Sequence, residues 1–245
     1  MKCNPATLVL GLSVLGASLP LFADDGAVKV VEIVHTERVS FFPGGAIRFQ
    51  DSFGDLNVEG WDRPEVEITV TRSRSHFYEP QQQEQAARLL ETVRVVAERR
   101  SDTDLSISTI VPSRAFFQNL EHKLAYFKHP LGGQGGVMLQ YDVHVPRASR
   151  LAIHHRGGYV LVAEVTGDIE ATSHQGDIVV MLPEPGPYAI DAKSRLGNVS
   201  SDFSGAFHNR LLVGERYSSP GPTPARRIYL RAGAGAVTIK AVPAK

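Results

Sequence analysis

Cysteine is almost absent from this 245-residue chain, since Cys3 is its single thiol. Cys3 precedes the first apolar run and lies within residues 1–23, which have the features of an export signal. A mature chain that begins at Asp24 would carry no thiol, which excludes disulfides, cysteine-ligated zinc and thiol catalysis. Net charge is absent as well, because 26 basic side chains balance 26 acidic ones. No overall field therefore attracts nucleic acid.

Long apolar runs are also missing beyond the N-terminus. Lys2 supplies a positive charge, residues 7–19 form an apolar stretch too short to span a bilayer, and Ala23 precedes two aspartates at the expected cleavage site. The alternatives are an uncleaved anchor or a buried helix. No later run approaches 18 apolar residues, so we expect an exported chain without a transmembrane span after cleavage.

Signatures of catalysis and of cofactor binding are lacking too. The chain has no G-x-S-x-G, no P-loop, no strand-linked G-x-G-x-x-G and no calcium-binding nonapeptide. His154 and His155 are adjacent, so on a strand their side chains point to opposite faces and do not share a metal ion. Asp55, Asp168 and Asp177 each follow a glycine directly, as turn residues do. The sequence therefore predicts no enzyme, no metal and no cofactor.

A twelve-residue pattern that occurs five times is the strongest feature present. Each copy begins apolar-x-apolar, continues with about four polar residues, has glycine at its eighth position and then returns to apolar residues. The copies, called repeats 1 to 5 in chain order, are IRFQDSFGDLNV (47–58), LAIHHRGGYVLV (151–162), IEATSHQGDIVV (169–180), IDAKSRLGNVSS (190–201) and IYLRAGAGAVTI (228–239). Five copies indicate repetition of one structural unit.

Each repeat predicts two short strands joined by a tight corner. Alternation places Ile169 and Ala171 inside, and Glu170 and Thr172 in solvent. The glycine suits a corner that needs a positive φ or has no room for a Cβ atom. A unit this small cannot bury its apolar side alone, so stacked copies predict an all-β, short-strand β-solenoid around a shared core. Hairpins folded into an antiparallel β-sandwich are the alternative.

Residues 79–136 interrupt the repeats and predict a helix-containing insertion within a single β-rich domain over residues 24–245. Residues 79–93 and 113–127 have helical spacing of apolar residues, with Pro80 suited to a first turn. The segment between these two helices predicts a β-hairpin with a polar loop, and a GGQGG link follows the second helix.

Basic and imidazole side chains recur at the fourth to sixth positions of repeats 2, 3 and 4. If the copies stack, these side chains form a ladder that could bind an acidic glycan, a lipid head group or the carboxylates of an envelope protein. The simpler interpretation is a solvated edge whose charges prevent strand aggregation. The candidate binding residues are His154, His155, Arg156, His174, Lys193 and Arg195.

The segments GDLNVEGW, VTGDIEATSHQGDIVV, IDAKSRLGNVSSDF and IYLRAGAGAVTI resemble the bacterial family of domains of unknown function named "putative adhesin". The resemblance covers about residues 45–75 and 138–242. It implies an exported, all-β, solenoid-like domain and carries over no catalytic residue.

Together with the repeats, this resemblance favours a non-catalytic binding or scaffolding module of adhesin-like type in the cell envelope, in the periplasm or at the surface of a bacterium. A polysaccharide lyase or hydrolase on a β-helical scaffold is the alternative. A third interpretation is a structural envelope protein that self-associates through the ends of its stack.

Overall fold

The computed structural model describes residues 29–76, 80–111, 137–209, 214–222 and 225–243. Within these ranges the chain forms two mixed β-sheets and one helix, which confirms the expected all-β class. The expected export signal (1–23), the second expected helix (113–127) and the GGQGG link (132–136) lie outside the described residues.

Eight strands, numbered in chain order, form the first sheet. In spatial order they are β1 (Lys29–Ser40), β4 (Glu65–His76), β7 (Met138–Pro146), β3 (Asp55–Trp61), β9 (Val160–Ala163), β11 (Ile178–Glu184), β17 (Val237–Pro243) and β13 (Val199–Ser201). The pairs β1/β4 and β4/β7 are antiparallel, and the strands from β7 to β13 pair in parallel.

Nine strands form the second sheet. In spatial order they are β14 (Ala206–Asn209), β15 (Glu215–Ser219), β12 (Tyr188–Leu196), β16 (Arg226–Ala234), β10 (Ile169–Gln175), β8 (Arg150–Gly157), β2 (Ala46–Phe53), β6 (Asp104–Ile110) and β5 (Arg94–Ser101). Pairing is parallel from β12 to β6 and antiparallel at both ends of the sheet.

Each of the five repeats contributes one strand to each sheet, and neighbouring repeats pair in parallel. Ile169 of repeat 3, for example, lies opposite Leu151 of repeat 2 on one side and Ile228 of repeat 5 on the other. The spatial order is repeat 1, 2, 3, 5, 4, so the last copy in the chain lies between the third and the fourth. The stacking order therefore differs from the chain order.

One apolar core lies between the two sheets. Ile169 and Ala171 are buried, Glu170 is exposed and Thr172 is half-buried on the outer face, as the alternation predicts. Each buried aliphatic side chain contributes about 1.5–3 kcal/mol to folding. The alternation therefore assigns one face of every repeat strand to the core and the other to solvent.

The first predicted helix and the predicted hairpin are both present. Helix α1 (Pro80–Thr92) packs against β1 and β4 and buries Ala86 and Leu90. Strands β5 and β6 pair in an antiparallel hairpin. In the described part of the chain, no helix has the length and apolar content needed to cross a membrane.

The eighth-position glycines form a column at the corner where each repeat passes from one sheet to the other. All five have positive φ: 92° at Gly54, 116° at Gly158, 111° at Gly176, 150° at Gly197 and 140° at Gly235. This backbone region is open to glycine and is strained for other residues. The sequence prediction for these positions is confirmed.

Close backbone contact is the second reason for glycine in the column. The amide of Gly158 donates to the carbonyl oxygen of Gln175 over 3.0 Å, and the amide of Gly176 donates to the carbonyl oxygen of Ala234 over 2.6 Å. A Cβ atom on Gly176 would lie 1.9 Å from the carbonyl oxygen of Gly158. Glycine at these positions thus lets neighbouring repeats approach more closely than a residue with a Cβ atom would.

Replacement of Gly176 by alanine is expected to lower the free energy of unfolding by roughly 3 kcal/mol or more. The change adds left-handed strain of about 1–3 kcal/mol to a clash with backbone that costs about 1–3 kcal/mol. Urea denaturation of residues 24–245 measures the loss. Gly44→Ala is the matched control, because Gly44 has φ +85° with nothing within 4 Å of an added Cβ atom. Equal losses in the two variants would contradict the role assigned to close packing.

Candidate functional site

Four neighbouring parallel strands of the nine-stranded sheet, β8, β10, β16 and β12, bring the candidate residues together. The fourth positions of their repeats are register partners and form one row across the strands: His154, Thr172, Arg231 and Lys193. The sixth positions lie between fifth and seventh positions that are register partners, and so form a second row in the same strand order: Arg156, His174, Gly233 and Arg195. We call these two sets the basic rows. Adjacent strands lie about 4.8 Å apart, so each row is roughly 14 Å long.

The basic rows face solvent, whereas the fifth positions between them face the core. His154, Arg156, His174 and Arg195 are exposed, and Lys193 is half-buried on the same face. His155 is only 3% exposed. The structure therefore places five of the six candidate residues on one surface and His155 on the opposite side of its strand.

A groove of about 550 Å³, open to solvent, lies over the basic rows. All six candidate residues border it, five from the solvent-facing rows and His155 from the buried side of β8. The lining also contains Asp51, Thr172, Arg231 and Gly233. Arg231 belongs to the segment ARRIYLR, whose arginines the sequence already adds to the predicted basic ladder, and it occupies the fourth position of repeat 5. Gly233, at the sixth position, would have been identified by extending the comparison of repeats 2 to 4 to that copy.

Asp51 enters the groove through an irregularity in repeat 1. The pairing of β2 with β8 shifts register between Phe49 and Ser52, and Asp51 has a φ of +58°. Its carboxylate accepts a hydrogen bond from Arg156 Nε over 2.9 Å. This carboxylate therefore offsets one cation at the end of the groove.

Asp191, beside the groove, is held by two arginines. Its carboxylate accepts from Arg231 over 2.7 Å and from Arg216 over 3.1 and 3.2 Å. Burial alone would raise the pKa of Asp191, but the hydrogen bonds from the two arginines outweigh burial and lower the pKa below its usual range. Asp191 is consequently ionised at neutral pH and serves as the partner of both guanidinium groups.

Arg231 is directed away from Gly233. Its guanidinium lies 3.9 Å from the ring centroid of Tyr229 and donates to Asp191, and both partners occupy second positions of their repeats. Lys193 and Arg195, by contrast, have no ion-pair partner among the described residues. The groove therefore keeps free positive charge on the side of β12.

His155 lies beneath the groove in a polar part of the core. Its Nδ1 is 2.9 Å from Ser52 Oγ, while its Nε2 and the hydroxyl of Ser173 have no hydrogen-bond partner among the described residues. Burial lowers the pKa of His155 to about 4, and backbone groups of Gly157 and Gly54 offset part of that effect. His155 is thus neutral near pH 7. It adds no charge to the predicted ladder of basic side chains.

Acidification is expected to weaken the fold through His155. Its pKa is about 4 in the folded chain, whereas an unperturbed histidine has a pKa of 6.5, so the unfolded state binds more protons between these pH values. The free energy of unfolding therefore falls as the pH falls through this window, by about 3 kcal/mol in all.

Urea titrations of the wild type and of His155→Gln from neutral pH to pH 4 measure this contribution. The variant should have the smaller pH dependence. His154→Gln, which changes the exposed neighbour, should keep the dependence of the wild type. If His155→Gln and the wild type lose stability in parallel, the assigned origin is wrong.

Two corner aspartates have structural partners. Asp168 accepts from the amide of Arg227 over 2.9 Å, and Asp177 accepts from the amide of Ala236 over 2.7 Å. Both bonds join separate segments, whereas the turn interpretation expected bonds to the local backbone. In the described ranges, no group of three or more His, Cys, Asp or Glu side chains is placed to hold a metal ion.

Comparison with known proteins finds no matching family model. No curated protein matches the sequence. Among solved structures, a "putative cell adhesion protein" from Clostridium sporogenes is similar at 12% identity and a TM-score of 0.46, over 86% of this chain and 100% of that one.

Two further solved structures are described as "putative adhesin". The one from Parabacteroides distasonis has 11% identity and a TM-score of 0.27, over 85% of this chain and 65% of that one. The one from Parabacteroides merdae has 12% identity and a TM-score of 0.22, over 69% of this chain and 60% of that one. Similarities at this level assign neither a ligand nor an activity to this chain.

Proposed function

We propose that this protein is an exported, non-catalytic binding module of adhesin-like type, and that the groove over the basic rows binds acidic ligands. The observation that carries the proposal is the convergence of basic side chains from four separate strands on one solvent-facing groove. Arg156, Lys193 and Arg195 bring positive charge, His154 lies on the same strand as Arg156, and His174 lies on the adjacent strand β10. Guanidinium and ammonium groups arranged in this way bind carboxylate, sulfate or phosphate.

The position of the basic rows in the sheet argues against a merely protective role. Charges that prevent aggregation are needed on edge strands, but β12, β16, β10 and β8 are the third to sixth of nine strands. Lys193 also has Arg231 and Arg216 as register partners on its two sides. Like charges opposite one another are destabilising, and the single carboxylate of Asp191 offsets only part of the charge of these three cations. An acidic ligand would offset more of it.

The carboxylates in and beside the groove, Asp51 and Asp191, support binding rather than hydrolysis. A hydrolase with paired carboxyls needs one of them protonated, with a raised pKa. Asp191 has a lowered pKa and bonds to two arginines, and Asp51 bonds to Arg156. These contacts favour the binding module over the lyase or hydrolase alternative.

Export and architecture form part of the same proposal. Residues 1–23 have the features of an export signal, and the remaining chain forms one β-rich domain over residues 24–245 without cysteine. The parallel pairing of all five repeats supports a solenoid-like stack over an antiparallel sandwich. The proposed location is the periplasm or the surface of a bacterial cell.

Removal of the unpaired cations is expected to weaken binding of an acidic polymer. Lys193→Ala/Arg195→Ala in residues 24–245 should lower affinity for immobilised polygalacturonate or heparin by roughly tenfold or more, because about 1.4 kcal/mol of lost charge-assisted contact corresponds to tenfold. Surface plasmon resonance at low and moderate salt measures the loss. The salt dependence should be weaker in the variant.

Lys240→Ala/Arg150→Ala is the matched control. It also removes one lysine and one arginine, both exposed, from positions outside the groove lining. The control should bind as the wild type does. Equal loss in both double variants, or no binding by the wild type, would refute the proposed site.

A further inference from the structure

We infer that the ligand of the groove is a linear acidic oligosaccharide that lies across the four strands and places one acidic group over Gly233. This inference rests on the proposed function and adds the class and the orientation of the ligand. Three observations carry it: a gap in the second basic row, the separation of the cations at its ends, and the polar character of the lining.

The gap is at Gly233. In the second basic row, Gly233 lies between His174 and Arg195 and has no side chain to cover the outer face of β16 at that position. A Cβ atom there would lie 2.4 Å from the carbonyl oxygen of His174, so close packing excludes a larger residue. Since strands are about 4.8 Å apart, the backbones of β10 and β12 on either side of Gly233 are roughly 10 Å apart. The carbonyl oxygen of His174 closes the position of the absent Cβ atom, so the acidic group lies above it, in the groove between His174 and Arg195.

The cations around the gap are placed to bind an oxyanion. Arg231 lies two residues before Gly233 on the same strand. Its guanidinium stacks on Tyr229 and donates to Asp191, so its side chain does not fill the gap at Gly233. Lys193 and Arg195 project from the adjacent strand on the groove side and have no carboxylate partner in the described part of the chain. An acidic group over Gly233 would supply that partner.

The distance between the ends of the row favours more than one acidic group. The backbones that carry Arg156 on β8 and Arg195 on β12 are three strand spacings, roughly 14 Å, apart. A single carboxylate meets both arginines only if their side chains converge. A chain with repeated acidic groups reaches both. The groove volume of about 550 Å³ falls in the range of small-ligand sites and fits a short segment of such a chain.

The lining favours sugar acids over membranes and peptides. It contains no large apolar side chain, so a bilayer would find no anchor there. Extended peptides commonly bind at a free sheet edge through backbone hydrogen bonds, whereas this groove lies on the face of central strands whose backbone groups are already paired. Hydroxyl-rich acidic sugars match both the charge and the polarity of the surface.

Isothermal titration of residues 24–245 with galacturonate and with oligogalacturonates of increasing length tests the inference. The oligomers should bind at least about 100-fold more tightly than the monomer, because linked acidic groups bind cooperatively to linked sites. Arg195→Gln should weaken both monomer and oligomer by about tenfold, whereas Arg156→Gln should weaken only the oligomer. Lys240→Gln should change neither.

The other outcomes overturn the inference in distinct ways. Equal affinity for monomer and oligomer, or equal effects of the two arginine variants on the monomer, would leave acidic-ligand binding intact and refute the extended orientation. Tighter binding of polyglutamate or of phosphatidylglycerol vesicles would refute the sugar class. Failure of every acidic probe to bind in an Arg195-dependent way would refute the proposed function itself.

Discussion

The stacking of the corner glycines determines where the other side chains of the repeats lie. Each glycine amide that bonds to the next repeat sets the register of two strands at once, and the missing Cβ atom permits the close approach. A slip by one residue would exchange inner and outer faces. Because β8, β10, β16 and β12 share one register, fourth and sixth positions reach solvent in these four strands while fifth positions remain inside. In repeat 1 the register shift after Phe49 reverses this, so Asp51 is exposed and Ser52 is buried.

The spatial order of the repeats decides which side chains are neighbours in the groove. Repeat 5 lies between repeats 3 and 4, so Arg231 and Gly233 separate His174 from Arg195. In chain order, those two residues would lie on adjacent strands and fill the surface with side chains. The inserted glycine instead leaves a gap, and Asp191 holds the inserted arginine to one side of it. The groove is thus a product of long-range topology acting on a local pattern.

The sequence predicts the local features of each repeat, whereas the order of the strands depends on contacts between distant segments. Periodicity is local, so it predicts the buried Ile169, the positive φ of Gly176 and the opposite directions of His154 and His155. Strand order depends on contacts between distant segments, which no twelve-residue pattern encodes. For this reason the bond from Asp177 to a distant backbone amide and the place of repeat 5 in the groove were beyond prediction.

The most direct test of the account is an amide NMR titration of isotopically labelled residues 24–245 with an oligogalacturonate. If the glycine column and the inserted repeat build one binding groove, the largest shift changes will fall on Gly233 and on its neighbours His174 and Arg195, with the amide of Lys240 on the opposite sheet unchanged. Shift changes centred on the opposite sheet, or spread evenly over exposed lysines and arginines, would contradict the account.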